Sequence, residues 1–469
     1  MKSLSHKFLI NWINFWVFFF CVSVLSLSGH GGEAAIVLLL TSIYVFHYKN
    51  YSISNLNLDK DEKSFITVII IFWMLNILNA IIQPSVIEFE SISLILRAID
   101  NPMRWILLLP LFFMFRSFKL DWKVLSIGLC TGVIISVSFA VYQIYFEGLT
   151  RARGGMNNVI SFGELMVAAD LILWVLMIYA WNNQKKILSI ILLIVSLVAF
   201  YGSLLSTSRG AWIVYLLMIL SYIIYSIKRG VSNKKYLLSK SVLLRIVLAI
   251  IIIYFTSLTS QYKQIKQQSI GTVSQISAGE YHKATSGRAP IFRTAIKIFQ
   301  RYPSGVGTDN FRNGAKVIII EDAITNKNLI VKNQDGEVIK GEDLLSLFDN
   351  INEHSYLQSF YENGNIRFTS RFRHAHNEWL NILAENGIFG FALFTLIFIF
   401  ALKIFWRNLN SKNELVGIYS YSGILLILSF VIFGQTQSIF TNHAVLIFFI
   451  FFLYLFLGQI SNINNIDKK

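Results

Sequence analysis

Three short runs hold the residues whose types and spacing could do chemistry. Ser208-Arg209-Gly210-Ala211-Trp212 heads an apolar stretch, Ser286-Gly287-Arg288 precedes a short amphipathic one, and Arg371-Phe372-Arg373-His374-Ala375-His376-Asn377 leads into another. Each has a plain structural reading. Arg209 and Trp212 fit an interfacial anchor, with the guanidinium snorkelling and the indole in the aromatic belt. Arg288 fits a solvent-facing side chain after a turn. His374 and His376 fit a surface loop. A metal half-site is a poor reading, because no Asp or Cys completes a ligand set and Glu378 shares no clear face with the histidines. Taken together the runs suggest more. Arg209, Arg288, Arg371 and Arg373 could surround a strongly anionic group, since the planar guanidinium offers phosphate two parallel donors and keeps its charge when partly buried. A neutral histidine beside such a group could accept a proton from a sugar hydroxyl. That pairing suits transfer from a diphosphate-activated donor, with the diphosphate held as leaving group.

The elements that must position these residues are membrane helices. The chain has 469 residues, 55% hydrophobic and 14% charged, well under the charge of a soluble domain, about 25%. Apolar runs at 8–28, 34–48, 64–82, 102–115, 124–146, 161–181, 187–204, 208–227, 246–259, 386–402, 416–433 and 443–459 predict an all-α, polytopic bundle of about twelve spans. Residues 83–101 predict an interfacial or re-entrant piece. Cys21 and Cys130 lie inside apolar runs and read as small hydrophobes. With the N-terminus inside, the inner segments hold 21 Lys and Arg, among them the loop cluster Lys228, Arg229, Lys234, Lys235, Lys240 and Arg245, and the short outer segments five, which places both termini in the cytoplasm. The basic residues are scattered over many loops, so the formal charge of +15 is a topology signal and argues against a nucleic-acid partner.

The organisation is then an N-terminal bundle of about nine helices (1–259), a large outer, partly helical loop domain (260–385) and about three C-terminal helices (386–469). Within the loop, 289–301 reads as an amphipathic helix, 328–340 as a β-hairpin turned at Asp335-Gly336, and 343–361 as helical. A loop of this length is expected to fold over the outer mouth of the bundle.

His376-Asn377, followed nine residues later by Gly387-Ile388-Phe389-Gly390, resembles the signature of the O-antigen ligase and polymerase superfamily. Ser208-Arg209-Gly210 is similar to that family's characteristic arginine, and Ser286-Gly287-Arg288 with Gly305-Val306-Gly307 and Phe311 resembles its second arginine region. The resemblance covers about residues 190–400. It implies an inner-membrane enzyme of lipopolysaccharide biosynthesis. The donor would be an undecaprenyl-diphosphate-linked glycan, transferred at the periplasmic face to a lipid A core sugar. His376 would be the catalytic base and Arg209 and Arg288 the diphosphate ligands. His374, Arg371, Arg373 and Asn377 would support them. The transfer would be inverting, with no metal, ATP or other cofactor. Residues 314–350 carry no obvious family motif and would shape glycan or acceptor choice. Gly387 and Gly390 read as helix-packing positions.

A polymerase of lipid-linked repeats, or a glycan transferase acting on protein, would share the donor and differ in the acceptor. A lipid-linked glycan transporter is the reading from another class. It explains many helices, but transporters often place ionisable groups near the midplane rather than at the outer mouth. A fluorescent protein that matures only in the cytoplasm, fused after Lys469, is expected to be bright. Alkaline phosphatase activity from the same fusion point would reverse the assigned orientation.

Overall fold

Polar caps on long apolar runs define most of the helices. The computed structural model describes residues 6–27, 31–48, 58–82, 92–230, 240–257, 288–326, 329–339, 356–362 and 364–466, with isolated positions between 270 and 277 and at 343. The N-terminal helices are α1 (His6–Ser26), α2 (Gly31–Tyr48), α3 (Lys60–Ile81), α4 (Ile92–Leu107), α5 (Leu109–Ser117), α6 (Trp122–Tyr145), α7 (Val159–Asn182), α8 (Lys186–Leu205), α9 (Arg209–Gly230) and α10 (Lys240–Ser257). The C-terminal helices are α13 (Glu378–Asn408), α14 (Glu414–Thr436) and α15 (His443–Ile466). Asp59 and Glu62 form a capping box at the start of α3, and Asn158, Asn377 and Asn413 cap α7, α13 and α14 through their side-chain oxygens. Each cap satisfies an amide that would otherwise lack a partner.

The chain is a polytopic, predominantly helical membrane protein. Among the described residues, nine helical stretches are long and apolar enough to cross a bilayer. One of them, Ala98–Ser117, joins the end of α4 to α5. Three further expected spans coincide with α2, α9 and α10, which fall outside those nine. The weak stretch expected to be interfacial or re-entrant is helical from Ile92 and continues into this span; residues 83–91 lie outside the described set. α7 and α15 are hydrophobic nearly all round and buried in the bundle centre, as that pattern requires. α6 and α8 turn residues such as Phe139 and Ile194 outward.

The bundle interior is more charged than expected. Arg245, expected in a basic inner loop, lies on α10 and is buried, with its Nη2 2.6 and 2.8 Å from the two Asp170 oxygens on α7. Ser196 on α8 donates to Asp170 at 2.5 Å and accepts from Arg245 Nε at 3.0 Å. A charge in this setting persists only when paired and hydrogen-bonded. At the far end of α13, Lys403 and Arg407 bind Asp61 at 2.8 and 2.9 Å.

The loop domain is not wholly helical. α11 (Arg288–Arg301) and α12 (Phe311–Thr325) pack on a four-stranded antiparallel sheet of order β2-β1-β3-β4. The strands are β1 (Ile330–Asn333), β2 (Val338–Ile339), β3 (Leu357–Phe360) and β4 (Ile366–Thr369). The hairpin turned at Asp335-Gly336 is present, and Gly336 adopts a φ of +83°. The expected helix over 343–361 is overturned at its end, since 357–360 is a strand. Residues 344–355 lie outside the described set. Leu357 and Ser359 point inward while Gln358 and Phe360 are half-buried, a period of two that only a strand produces. Ile291, Ile298, Phe311, Ile318 and Val331 form this domain's own core.

A backbone clasp joins the loop domain to the bundle. Val306 and Gly307 donate to the carbonyls of Ala384 and Glu385 at 3.0 and 2.9 Å, and Ile388 donates to Pro303 at 3.0 Å. The clasp breaks α13 at Gly387, whose φ and ψ are +63° and −166°. Essentially only glycine occupies that region, and other residues pay about 1–3 kcal/mol to enter it. A Cβ there would also sit 2.3 Å from the Pro303 oxygen, and one on Gly305 would sit 2.2 Å from the Glu385 oxygen. The helix-packing role expected for Gly387 is thus a role in a backbone junction. Gly387→Ala is expected to cost at least ~2 kcal/mol and to speed amide exchange at Val306, Gly307 and Ile388. Unchanged exchange at those amides would show that the clasp does not hold the domain.

Candidate active site

The clasp fixes the start of α13, and the turn before that helix carries the histidines. His376 adopts a φ of +51°, a conformation uncommon for a residue with a side chain and often found at functional sites. Its Nδ1 lies 2.8 Å from Gln437 Oε1 at the end of α14. With that oxygen as acceptor, Nδ1 carries the proton and Nε2 presents a lone pair, the tautomer a general base needs. The ring also stands edge-on to Phe372 and His374, with centroids 4.7 and 4.5 Å away.

Burial keeps both histidines neutral at pH 7. It lowers His376 below the ordinary histidine range; the contact with Gln437 opposes that shift, and the Arg288 charge adds to it. His374 is lowered to about 4, chiefly by burial and then by His376 and Arg312. Its Nδ1 accepts from the His376 backbone amide at 3.4 Å.

The expected cations do not converge equally. Arg288 opens α11, and its charge acts on His376 and also reaches Glu164 on α7. Arg209 opens α9; its side chain lies outside the described residues. The backbone beside it is well placed, because Gly210 packs so closely on Thr436 that a Cβ would lie 2.5 Å from Oγ1. Thr436 adjoins Gln437, so the start of α9 shares a corner with His376. Arg373 is bound to Asp309 at 2.7 Å. Arg371 lies over the ring of Phe372, and its carbonyl accepts from Arg312 at 3.3 Å. Ser286 and Gly287 lie outside the described residues. Among the described residues, no three His, Cys, Asp or Glu side chains gather as a metal ligand set.

Asn377 has a positioning role. Its oxygen caps α13 by accepting from Leu380 at 3.0 Å, and its Nδ2 donates to the Gln435 carbonyl at 3.2 Å. Glu378 accepts from the Phe440 amide at 3.0 Å. Two helices therefore grip the His376 turn.

Residues 194–395 match the O-antigen ligase family model. That match covers the middle of the chain and leaves both ends outside it. An O-antigen polymerase of Salmonella muenchen is 26% identical over 183 residues, covering 39% of this chain and 41% of that protein. An uncharacterized protein of Haemophilus influenzae is 20% identical over 453 residues, covering 95% of this chain and 98% of that protein. The matched O-antigen ligase domain runs from within α8 to within α13, so it contains Arg209, Arg288, His376 and both clasp glycines.

Gln437, Asp309 and the clasp were missed from sequence. Gln437 lies 61 positions beyond His376, past the matched domain, and a lone glutamine at a helix end carries no spacing signal. The neutral ring makes a prediction. A reaction that uses His376 as its base is expected to be level from pH 8 to about 6.5 and to fall only at lower pH, as His376 gains a proton. Gln437→Leu removes the contact that favours the protonated ring, so its acid limb should move further down while kcat drops about tenfold from lost orientation. An acid limb centred above pH 6.5 in the wild type would contradict the effect of burial.

Proposed function

We propose that the protein transfers an undecaprenyl-diphosphate-linked O-antigen glycan to a lipid A core sugar at the periplasmic face of the inner membrane. The observation that carries this reading is the oriented, neutral His376 within reach of the Arg288 charge, inside an O-antigen ligase domain. The acceptor hydroxyl oxygen attacks the anomeric carbon from the face opposite the diphosphate, and its proton passes to His376 Nε2. The bond from the anomeric carbon to the diphosphate oxygen breaks, and undecaprenyl diphosphate leaves with inversion at the sugar. Arg288 and Arg209 hold the diphosphate and stabilise the charge it gathers. Cleavage of the sugar–diphosphate bond supplies the driving force, so the transfer needs no ATP, and in this reading the residues named act without a metal or other cofactor. His374 supports His376 through its backbone amide, and Arg371 and Arg373 serve the surrounding loop and lipid head groups.

This reading takes twelve spans, adding α2, α9 and α10 to the nine long apolar helices, with both termini cytoplasmic. Residues 1–259 and 386–469 form the bundle, and 260–385 form the periplasmic domain. The polyprenyl tail lies among membrane lipids beside the bundle.

The similarity to an O-antigen polymerase favours a second reading, in which the acceptor is another lipid-linked repeat. Purified donor offered with lipid A core glycolipid, or alone, separates the two. Ligation should yield glycan on the core lipid; chain growth on the carrier without core product would move the assignment to polymerase. His376→Ala should lower kcat by at least about a hundredfold while still inserting normally. Arg288→Lys should weaken donor use about tenfold despite its retained charge, because the two-pronged geometry is lost. Wild-type transfer by properly inserted H376A would remove His376 from the chemistry.

A further inference from the structure

A polar cavity of about 350 Å³ opens beside the histidine turn, between α3, α4, the start of α13 and the start of α15. It is near the lower end of the range for small-ligand sites, about 300–1,000 Å³. His374 and Glu378 lie on its wall, whereas His376, Gln437 and Arg288 do not. The turn between residues 373 and 378 therefore separates the cavity from the Gln437 and Arg288 side.

The lining has the chemistry of a site for hydroxyl groups. Four amide side chains reach it, from Asn76, Asn101, Asn381 and Asn386, together with Thr308 and the indole of Trp105. Amides and hydroxyls over an aromatic surface supply both donors and acceptors to a ring with several hydroxyls.

Asn386 gives the independent sign of a ligand. It is 1% exposed, and its Oδ1 accepts from Asn79 at 3.2 Å and Thr308 at 3.0 Å. Its Nδ2, in contrast, is buried with no hydrogen-bond partner, as is Asn101 Oδ1 on the same wall. Leaving such groups unsatisfied costs about 1–3 kcal/mol each. A donor and an acceptor thus both await a partner in one cavity.

The charges on the wall disfavour an anion: the carboxyl groups of Glu378 and Glu385 also line it, and the cations are already paired. Arg373, the guanidinium on the wall, is bound to Asp309, and Asp100 is bound to Arg104 at 2.7 Å. A diphosphate or an acidic sugar would have to break one of these pairs.

We infer that this cavity binds an uncharged sugar at the end of the acceptor glycan, with Asn386 and Asn101 reading its hydroxyls and the His376 turn closing one side. The acceptor assignment rests on the transfer reaction proposed above; the sugar site itself does not. In that assignment the acceptor sugar sits on the His374 side of the turn and the diphosphate on the Arg288 side.

Two variants test the site. Asn386→Asp keeps the oxygen that Asn79 and Thr308 need and removes the unpaired donor. Asn101→Leu fills the wall with apolar volume. Binding is read by saturation-transfer NMR on nanodisc-embedded protein, using oligosaccharides released by mild acid from lipid A core and from the lipid-linked repeat. At least one is expected to take up saturation on its terminal sugar with the wild type and with H376A, and to bind N386D and N101L about tenfold more weakly. Absence of binding to both, or binding to N386D and N101L as tight as to the wild type, overturns the site. In the transfer assay, acceptor KM should rise about tenfold in both variants with donor KM unchanged; a rise confined to donor KM overturns the acceptor assignment. Variant-sensitive binding by a protein that transfers no glycan would sink the transfer reading and leave the sugar site standing.

Discussion

The structure depends on a junction where two segments meet backbone to backbone at glycines. Residues 303–307 and 384–388 exchange three hydrogen bonds, and the junction exists only because Gly305 and Gly387 leave space that a Cβ would fill. Gly387 also ends the straight run of α13. The helical segment before the break, residues 378–386, follows directly on the His376 turn. Remove the clasp, and Arg288 on the loop domain loses its fixed relation to His376 on the bundle.

The electrostatics follow from that geometry. A histidine held among apolar walls and beside an arginine stays neutral at physiological pH, as a base must. The same arginine suits an anionic leaving group. Arg373, the cation within the histidine turn itself, is bound to Asp309.

Much of this was legible in the sequence, and particular residues show why the rest was not. Long apolar runs announce helices because a bilayer demands about twenty such residues, so the main spans were clear, but α13 begins at Glu378 rather than at 386 because its first turns are polar. Asp335-Gly336 announced a hairpin through turn chemistry that depends on two residues. The strand at Leu357–Phe360 was hidden, because four residues show little periodicity beside a flank that reads as helical. Arg245 looked like a loop cation because its partner, Asp170, lies 75 positions away. Short motifs pointed to His376 and Arg288, but nothing local pointed to Gln437 or to the empty amide of Asn386. Those roles arise from packing between distant helices.

The central claim is that His376 and the arginines break a sugar–diphosphate bond and form a glycosidic one without an added energy source. The direct measurement is undecaprenyl diphosphate released against glycosidic bonds formed, in vesicles of purified protein without nucleotide and with chelator present. The account predicts one carrier diphosphate released per bond, with inverted anomeric configuration in the product. Movement of lipid-linked glycan across the bilayer with no diphosphate released would contradict it.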